Sequence, residues 1–265
     1  MVPAIMNVRS FAALRAPSAW GLALALLSGA CASMQHNAQD QQGERLGREL
    51  SAQIAEIMAV NHVYETATPL LQEGIAEDPN NPHLHRLLGV VLRDRGVFEQ
   101  ALEELELSWQ LAPYVPDTAA ALGVLYDSTQ RPAAAEIWHR RAIDLAPRRG
   151  ELYNNLGFSL YLQQRDAEAM ATLREALRHN PNQARAFNNL GFTYFRLKER
   201  DLAMKSFRQA GTRANALANF GVALEMNGEM AEARQAYLEA LRLDQRLEVA
   251  RKNLAQLERE PHRGD

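Results

Sequence analysis

Four Leu-Gly pairs recur at a constant distance along the chain. Gly89, Gly123, Gly157 and Gly191 are spaced 34 residues apart, and each follows a leucine: Leu88, Leu122, Leu156 and Leu190. Twelve residues after each glycine comes an alanine (Ala101, Ala135, Ala169, Ala203), and three units close on a proline (Pro113, Pro147, Pro181). A shared period of this length means a stack of equivalent units, none of which can bury its apolar face alone. Inside a unit the apolar spacing is helical. Phe187, Leu190, Gly191 and Tyr194 lie at i, i+3, i+4 and i+7, and Ala203, Phe207 and Ala210 form the matching stripe on a following helix. Glycine and alanine stand where two helix backbones approach closely, and a bulkier side chain there would overpack by about 1–3 kcal/mol. The closing proline cannot continue a helix and marks the break before the next unit.

The same ruler extends both ways. Stepping back from Gly89 places Ile54-Ala55, Ala67, Leu71 and Pro79 at the expected offsets, with Pro69 as a departure that predicts a kink. Stepping forward from Gly191, the next match is Phe220-Gly221, only 30 residues on, followed by Ala233, Tyr237 and Ala240. The fifth unit is therefore four residues short, with Gly211 as its helix stop. The reading is six helix pairs, at about 48–81, 82–115, 116–149, 150–183, 184–213 and 214–245. A helix over 246–259 then carries Leu247, Ala250, Leu254 and Leu257 on one stripe and caps the stack, and residues 260–265 form a frayed tail. The L-G…A…P pattern at this period resembles the tetratricopeptide repeat. The resemblance implies an all-α fold, a right-handed superhelix of helical hairpins with a concave inner wall.

The first thirty residues read as an address. They hold two cations, Arg9 and Arg15, and no acid, then an apolar run over residues 19–27 and the small residues Ser28-Gly29-Ala30. That is a secretory signal, too short to span a bilayer. The only cysteine of the chain, Cys31, follows directly. Leu27-Ser28-Gly29-Ala30-Cys31 resembles the lipobox of bacterial lipoproteins, although Leu27 stands four residues before the cysteine rather than three. The resemblance implies Cys31 as the lipidated (palmitate-bearing) N-terminus of the mature chain, and Ala32, in place of an aspartate, implies an outer-membrane protein facing the periplasm. The other reading is an incidental cysteine beside an ordinary signal-peptidase site. Residues 31–47, polar and glutamine-rich beyond the cysteine, read as a flexible tether.

With one cysteine in 265 residues, neither a disulfide framework nor a Cys-rich zinc site is available. A formal net charge of -3 argues against general nucleic-acid binding. No H-E-x-x-H, G-x-S-x-G or phosphate-cradling glycine loop occurs, so no catalytic site, cofactor, metal or small-molecule substrate is expected. The seven histidines are scattered, His83 and His85 fall on different helix faces, and all read as surface or tether residues. Recurring carboxylates such as Glu103, Glu104 and Glu136 read as a solvated helix face.

The candidate binding residues lie beside the buried stripe on each unit's first helix. Unit four has Asn154, Asn155, Phe158 and Tyr161, unit five repeats this with Asn188, Asn189, Phe192 and Phe195, and Asn219 and Asn253 follow. In the repeat family this face lines the concave groove. Rings supply area, and amides both donate and accept, as an extended peptide backbone requires. Arg185 and Arg196 add charge to this wall, with Glu151 and Glu225 beside it. The alternative is that the asparagines belong to the repeat consensus and the rings pack on neighbouring units. Units one to three lack the motif, with Ala120, Ala121 and Val124 at the corresponding places in unit three.

Taken together, the lipobox-like segment, the tether and the array, with Asn154-Asn155-Leu156-Gly157-Phe158 and the shortened fifth unit leading to Ala218-Asn219-Phe220-Gly221-Val222-Ala223-Leu224, resemble the lipoproteins of the Tad (Flp) pilus assembly system. That resemblance implies a non-catalytic scaffold in pilus or secretion assembly, its partner a segment of the outer-membrane secretin or another pilus component. An adaptor of the NlpI type, docking periplasmic proteases or peptidoglycan enzymes, is the competing reading.

Overall fold

The computed structural model describes residues 63–259, together with Gln53 and Ile57. The expected leader, Cys31, the tether, the first helix of unit one apart from Gln53 and Ile57, and the tail lie outside the described residues. Among the described residues every regular element is a helix, twelve in all. They fall into two compact units divided between Pro113 and Tyr114.

The first unit holds α1 (Tyr64–Glu77), α2 (Pro82–Asp94) and α3 (Phe98–Leu111). Helix α2 pairs with α3, and α1 packs on α2. Pro69 lies inside α1 and the helix continues through it. Asn81 caps α2, its side-chain oxygen accepting from the His83 and Leu84 amides, and Pro82 supplies the preset first helical turn.

In the second unit, hairpins form from α4 (Pro116–Ser128) with α5 (Pro132–Leu145), α6 (Gly150–Leu162) with α7 (Asp166–His179), α8 (Ala184–Arg196) with α9 (Arg200–Ala210), and α10 (Arg213–Met226) with α11 (Met230–Leu243). Helix α12 (Glu248–Arg259) packs on α11. Each hairpin's second helix abuts the next hairpin's first, and the first helices α4, α6, α8, α10 and α12 neighbour one another in sequence. The short fifth period shows as an eleven-residue α9, and only Gly211 and Thr212 separate it from α10. Gly211 has extended backbone (φ 179°), and the Thr212 side chain caps α10 through the Asn215 amide.

One packing device repeats in all five hairpins. A β-carbon on the glycine of each first helix would sit 2.5–2.7 Å from the side chain sixteen residues later: Leu105, His139, Leu173, Phe207 or Tyr237. Each glycine is thus the hole for a knob on the second helix, and its missing side chain sets how closely the hairpin closes. The turn inside each hairpin is equally regular. Seven residues after the glycine, Gly96, Gln130, Gln164, Lys198 and Gly228 all adopt positive φ, between 58° and 82°. Each is the left-handed residue of a Schellman turn, as where Gly96 N bonds to Arg93 O and Val97 N to Leu92 O.

Candidate functional site

The first-helix face of the second unit carries the nine candidate residues, and the structure separates them. Asn155, Phe158, Asn189 and Asn219 are half-buried. Asn154, Tyr161, Asn188, Phe192 and Phe195 are buried, between 4% and 8% exposed, and lie within the stack rather than on a free wall. The reason lies in what each side chain meets. Phe192 packs edge-on against the knob Phe207, centroids 4.9 Å apart at 71°, and Phe195 does the same with Phe220 at 5.4 Å and 81°. Such pairs add to the burial of aromatic area.

The asparagines form a ladder between hairpins. Asn189 Nδ2 donates to Asn154 Oδ1 at 2.9 Å, and Asn219 Nδ2 donates to Asn188 Oδ1 at 2.8 Å. Each amide two residues before a glycine reaches back to the amide three before the preceding glycine. The buried members are thereby satisfied, as buried polar groups must be. Asn155 stands at the start of the ladder, because α4 presents the buried Ala120 and Ala121 where its partners would be. Asn253 of α12 donates instead to the Tyr237 hydroxyl at 3.3 Å, since Ala218 offers no acceptor side chain.

The charged candidates divide in the same way. Arg196 is spent on the preceding hairpin: its Nε donates to Asp166 Oδ1 at 2.7 Å, its Nη2 to the Tyr161 carbonyl at 2.6 Å, and its guanidinium lies 3.7 Å from the Tyr161 ring centroid. Burial pushes the Tyr161 phenol upward, and Arg196 partly opposes that. Glu225 accepts from the Tyr237 hydroxyl at 2.8 Å, and burial together with this carboxylate raises the Tyr237 phenol strongly. Glu151 pairs with Arg149 at 2.7 Å, whereas Arg185 is exposed.

Three half-exposed apolar residues complete the face. Leu162 continues the Asn155–Phe158 stripe at i+7, and Val222 and Met226 continue the Asn219 stripe, with Met226 51% exposed. The signal for Leu162 and Met226 was the recurrence five residues after each glycine, which reads Leu162, Arg196, Met226, and for Val222 the position directly after the glycine, which reads Phe158, Phe192, Val222. The free wall is therefore apolar at α6 and α10 and polar at α8 between them.

Two of the histidines are not surface residues. His139 is the knob under Gly123, 1% exposed, with Nε2 2.9 Å from Asp127 Oδ2, while Asp127 Oδ1 accepts from Ser159 at 2.7 Å. His85 is 3% exposed, its Nδ1 2.6 Å from Glu104 and its Nε2 2.9 Å from the Pro79 carbonyl. Both occupy repeat positions that face the hairpin interior, so the fold buries them and supplies polar partners. Glu104 and Glu136 are likewise half-buried rather than fully solvated. Burial raises the Glu136 carboxyl, but hydrogen bonds from Arg140 and Arg165 outweigh it and hold the group below its ordinary range.

Among the described residues no group of His, Cys, Asp and Glu gathers as a metal would require. No described helix is long and apolar enough to cross a membrane. Two clefts, of about 420 and about 440 Å³, lie at the α5–α6–α7 and α9–α10–α11 junctions, and no candidate amide lines either.

The sequence matches the TPR repeat family over residues 159–198 and the tetratricopeptide repeat family over 214–246. No curated protein matches the chain. Among solved structures, Pseudomonas aeruginosa PilF aligns over 79% of this chain and 99% of its own at 19% identity, with a TM-score of 0.57. PilW, described as a widely conserved type IV pilus biogenesis factor, aligns over 78% of this chain and 98% of its own at 19% identity, with a TM-score of 0.64. A chain of the APC/C hetero-tetramer Cut9-Hcn1 aligns over 79% of this chain and 42% of its own length at 16% identity, also at 0.64. At these identities the likeness is one of fold, and it agrees with the glycine-and-knob hairpins: the described residues fold as a TPR-like helical repeat, with the family matches themselves confined to residues 159–198 and 214–246.

Proposed function

We propose that the protein is a non-catalytic scaffold that holds an extended segment of a partner protein against the first helices of its last three repeats. The observation that carries this is the half-exposed row Asn155, Phe158, Leu162, Asn189, Asn219, Val222 and Met226, amides and apolar groups on consecutive helices. Side-chain amides suit a peptide backbone, and a ring flanked by apolar neighbours suits an anchor residue. The buried Phe192 and Phe195 support this wall from behind and do not themselves touch the partner.

The reading places the scaffold on the periplasmic face of the outer membrane, anchored through lipidated Cys31, in the assembly of a pilus of the Tad/Flp type, with the secretin as partner. The placement rests on the sequence resemblance, and two fold neighbours with pilus names, PilF and PilW, are in keeping with it. Co-purification from solubilised membranes tests the wall. Replacing Phe158 and Leu162 by alanine should reduce recovery of the partner by about tenfold, the effect of losing one buried anchor, with helicity unchanged. Undiminished recovery removes the wall from the reading. Recovery of a protease or peptidoglycan enzyme instead of a secretin favours the adaptor alternative. Cys31→Ser should release the protein from membranes, and continued fractionation with the outer membrane overturns the lipid anchor.

A further inference from the structure

The two compact units carry opposite charge. From Val63 to Pro113 nine acids face three arginines, whereas from Tyr114 to Arg259 twenty-one lysines and arginines face seventeen acids. The division is sharpest on the second helices of the hairpins. Helices α1 and α3 contain no lysine or arginine at all, while α9 carries Arg200, Lys205 and Arg208 against Asp201.

The repeat register places these charges on corresponding surfaces. Fourteen and seventeen residues after the hairpin glycine, α3 presents Glu103 and Glu106 and α9 presents Lys205 and Arg208. All four are exposed, and none has an ion-pair partner among the described residues. Half-buried Leu102 adjoins the acidic pair and half-buried Met204 the basic pair, and Leu107, 37% exposed, widens the apolar part of the α3 face. Each face thus offers an apolar edge beside two charges of one sign, at the same spacing on the same kind of helix.

We infer that the acidic face of α3 docks the basic face of α9 on a second copy of this chain. Charge complementarity favours this pairing. Two acidic units repel, as do two basic ones, so a contact between copies is favoured only where one chain's first unit meets the other's second unit. Such a contact is heterologous, and it either closes when made twice or propagates from copy to copy. It uses exposed residues of α3 and α9 and leaves the first-helix wall free, so it stands independently of the proposed partner binding.

Sedimentation velocity of the full chain tests it. At about 0.1 M salt, where charges act over about 10 Å, the mass should rise with protein concentration, and at about 1 M, where the reach is about 3 Å, it should fall to that of one chain. Glu103→Lys with Glu106→Lys should weaken association by about tenfold or more, and so should Lys205→Glu with Arg208→Glu, because each leaves like charges opposed. Mixing the two variants should restore association, since the reversed faces complement each other again. Circular dichroism of each variant, unchanged from the parent, separates lost contact from lost fold. The inference is overturned by a parent chain that stays single at low salt, by association that survives high salt, or by a mixture of folded variants that fails to recover it.

Discussion

Helices α6 and α8 share the central run Asn-Asn-Leu-Gly-Phe, and yet the phenylalanines have different fates. Phe158 stays half-exposed on the wall, whereas Phe192 is 4% exposed. What differs is the knob beneath. Leu173 fills the hole at Gly157 and offers no ring, while Phe207 fills the hole at Gly191 and takes Phe192 edge-on. Three residues further on, Tyr161 lies under Arg196 and Phe195 against Phe220, so both are covered by the following hairpin. A repeat motif therefore states that a side chain points toward the wall, and the neighbouring helices decide whether it reaches it.

The largest test of this contrast is Phe207→Ala. It empties the knob and removes the edge on which Phe192 rests, costing about 3–5 kcal/mol in chemical denaturation. Leu173→Ala, at about 2–5 kcal/mol, should leave the environment of Phe158 unchanged by NMR, whereas Phe207→Ala should shift that of Phe192. Equal disturbance of the two rings would end the explanation. Next in size come Gly157→Ala and Gly191→Ala, each about 1–3 kcal/mol. Gly191→Ala should cost more, because the added methyl meets a rigid ring at 2.5 Å rather than a leucine that can change rotamer at 2.7 Å.

Asp166→Ala releases Arg196 from α7, and with these partly exposed groups the loss should be about 1 kcal/mol. Iodide quenching of tyrosine fluorescence should then gain access to Tyr161, and an unchanged profile would show that Arg196 does not cover it. Smaller still, and opposite in sign, Gln164→Gly and Lys198→Gly should each raise stability by about 0.5–1 kcal/mol. The left-handed turn costs a non-glycine residue about 1–2 kcal/mol, and glycine's greater chain entropy returns part of it. A fall in melting temperature would refute the strain.

The last effect depends on pH. Arg165 of the fourth repeat clasps Glu136 and Glu168, and Arg200 of the fifth clasps Glu229 and Glu232. For Glu136 burial pushes the carboxyl up but the arginines win, for Glu168 the Arg165 hydrogen bond dominates, and for Glu229 those from Asn227 and Arg200 do. All three carboxyls are thus held below their ordinary value of 4.5 in the fold. Their contribution is complete above about pH 4.5 and disappears as the pH falls through the lowered values. Denaturation midpoints should decline on acidification below that point, and a decline beginning near neutrality would point elsewhere.

Much of the fold is legible in the sequence for a simple reason. Glycine, knob and left-handed turn are all local to one hairpin, so a fixed offset names them: sixteen residues to Phe207, seven to Lys198. The histidines show the limit of residue type as a guide. His139 looks like a surface residue by chemistry, but its offset from Gly123 is that of a core knob, and Asp127 and Ser159 make its burial tolerable. Counting offsets would have found it.

By itself the sequence determined the hairpins, their period, the shortened fifth repeat and the face on which each amide and ring would lie, because these follow from helical spacing and from steric room at a few glycines. Only the tertiary structure decided that Asn154 and Asn188 are rungs between hairpins, that Arg196 is bound to Asp166, and that Phe192 and Phe195 support the wall while Asn155 and Phe158 remain on it. The physical reason is distance along the chain. Those rungs and ion pairs join residues thirty to thirty-five positions apart. Exposure is a property of that neighbour as much as of the residue itself.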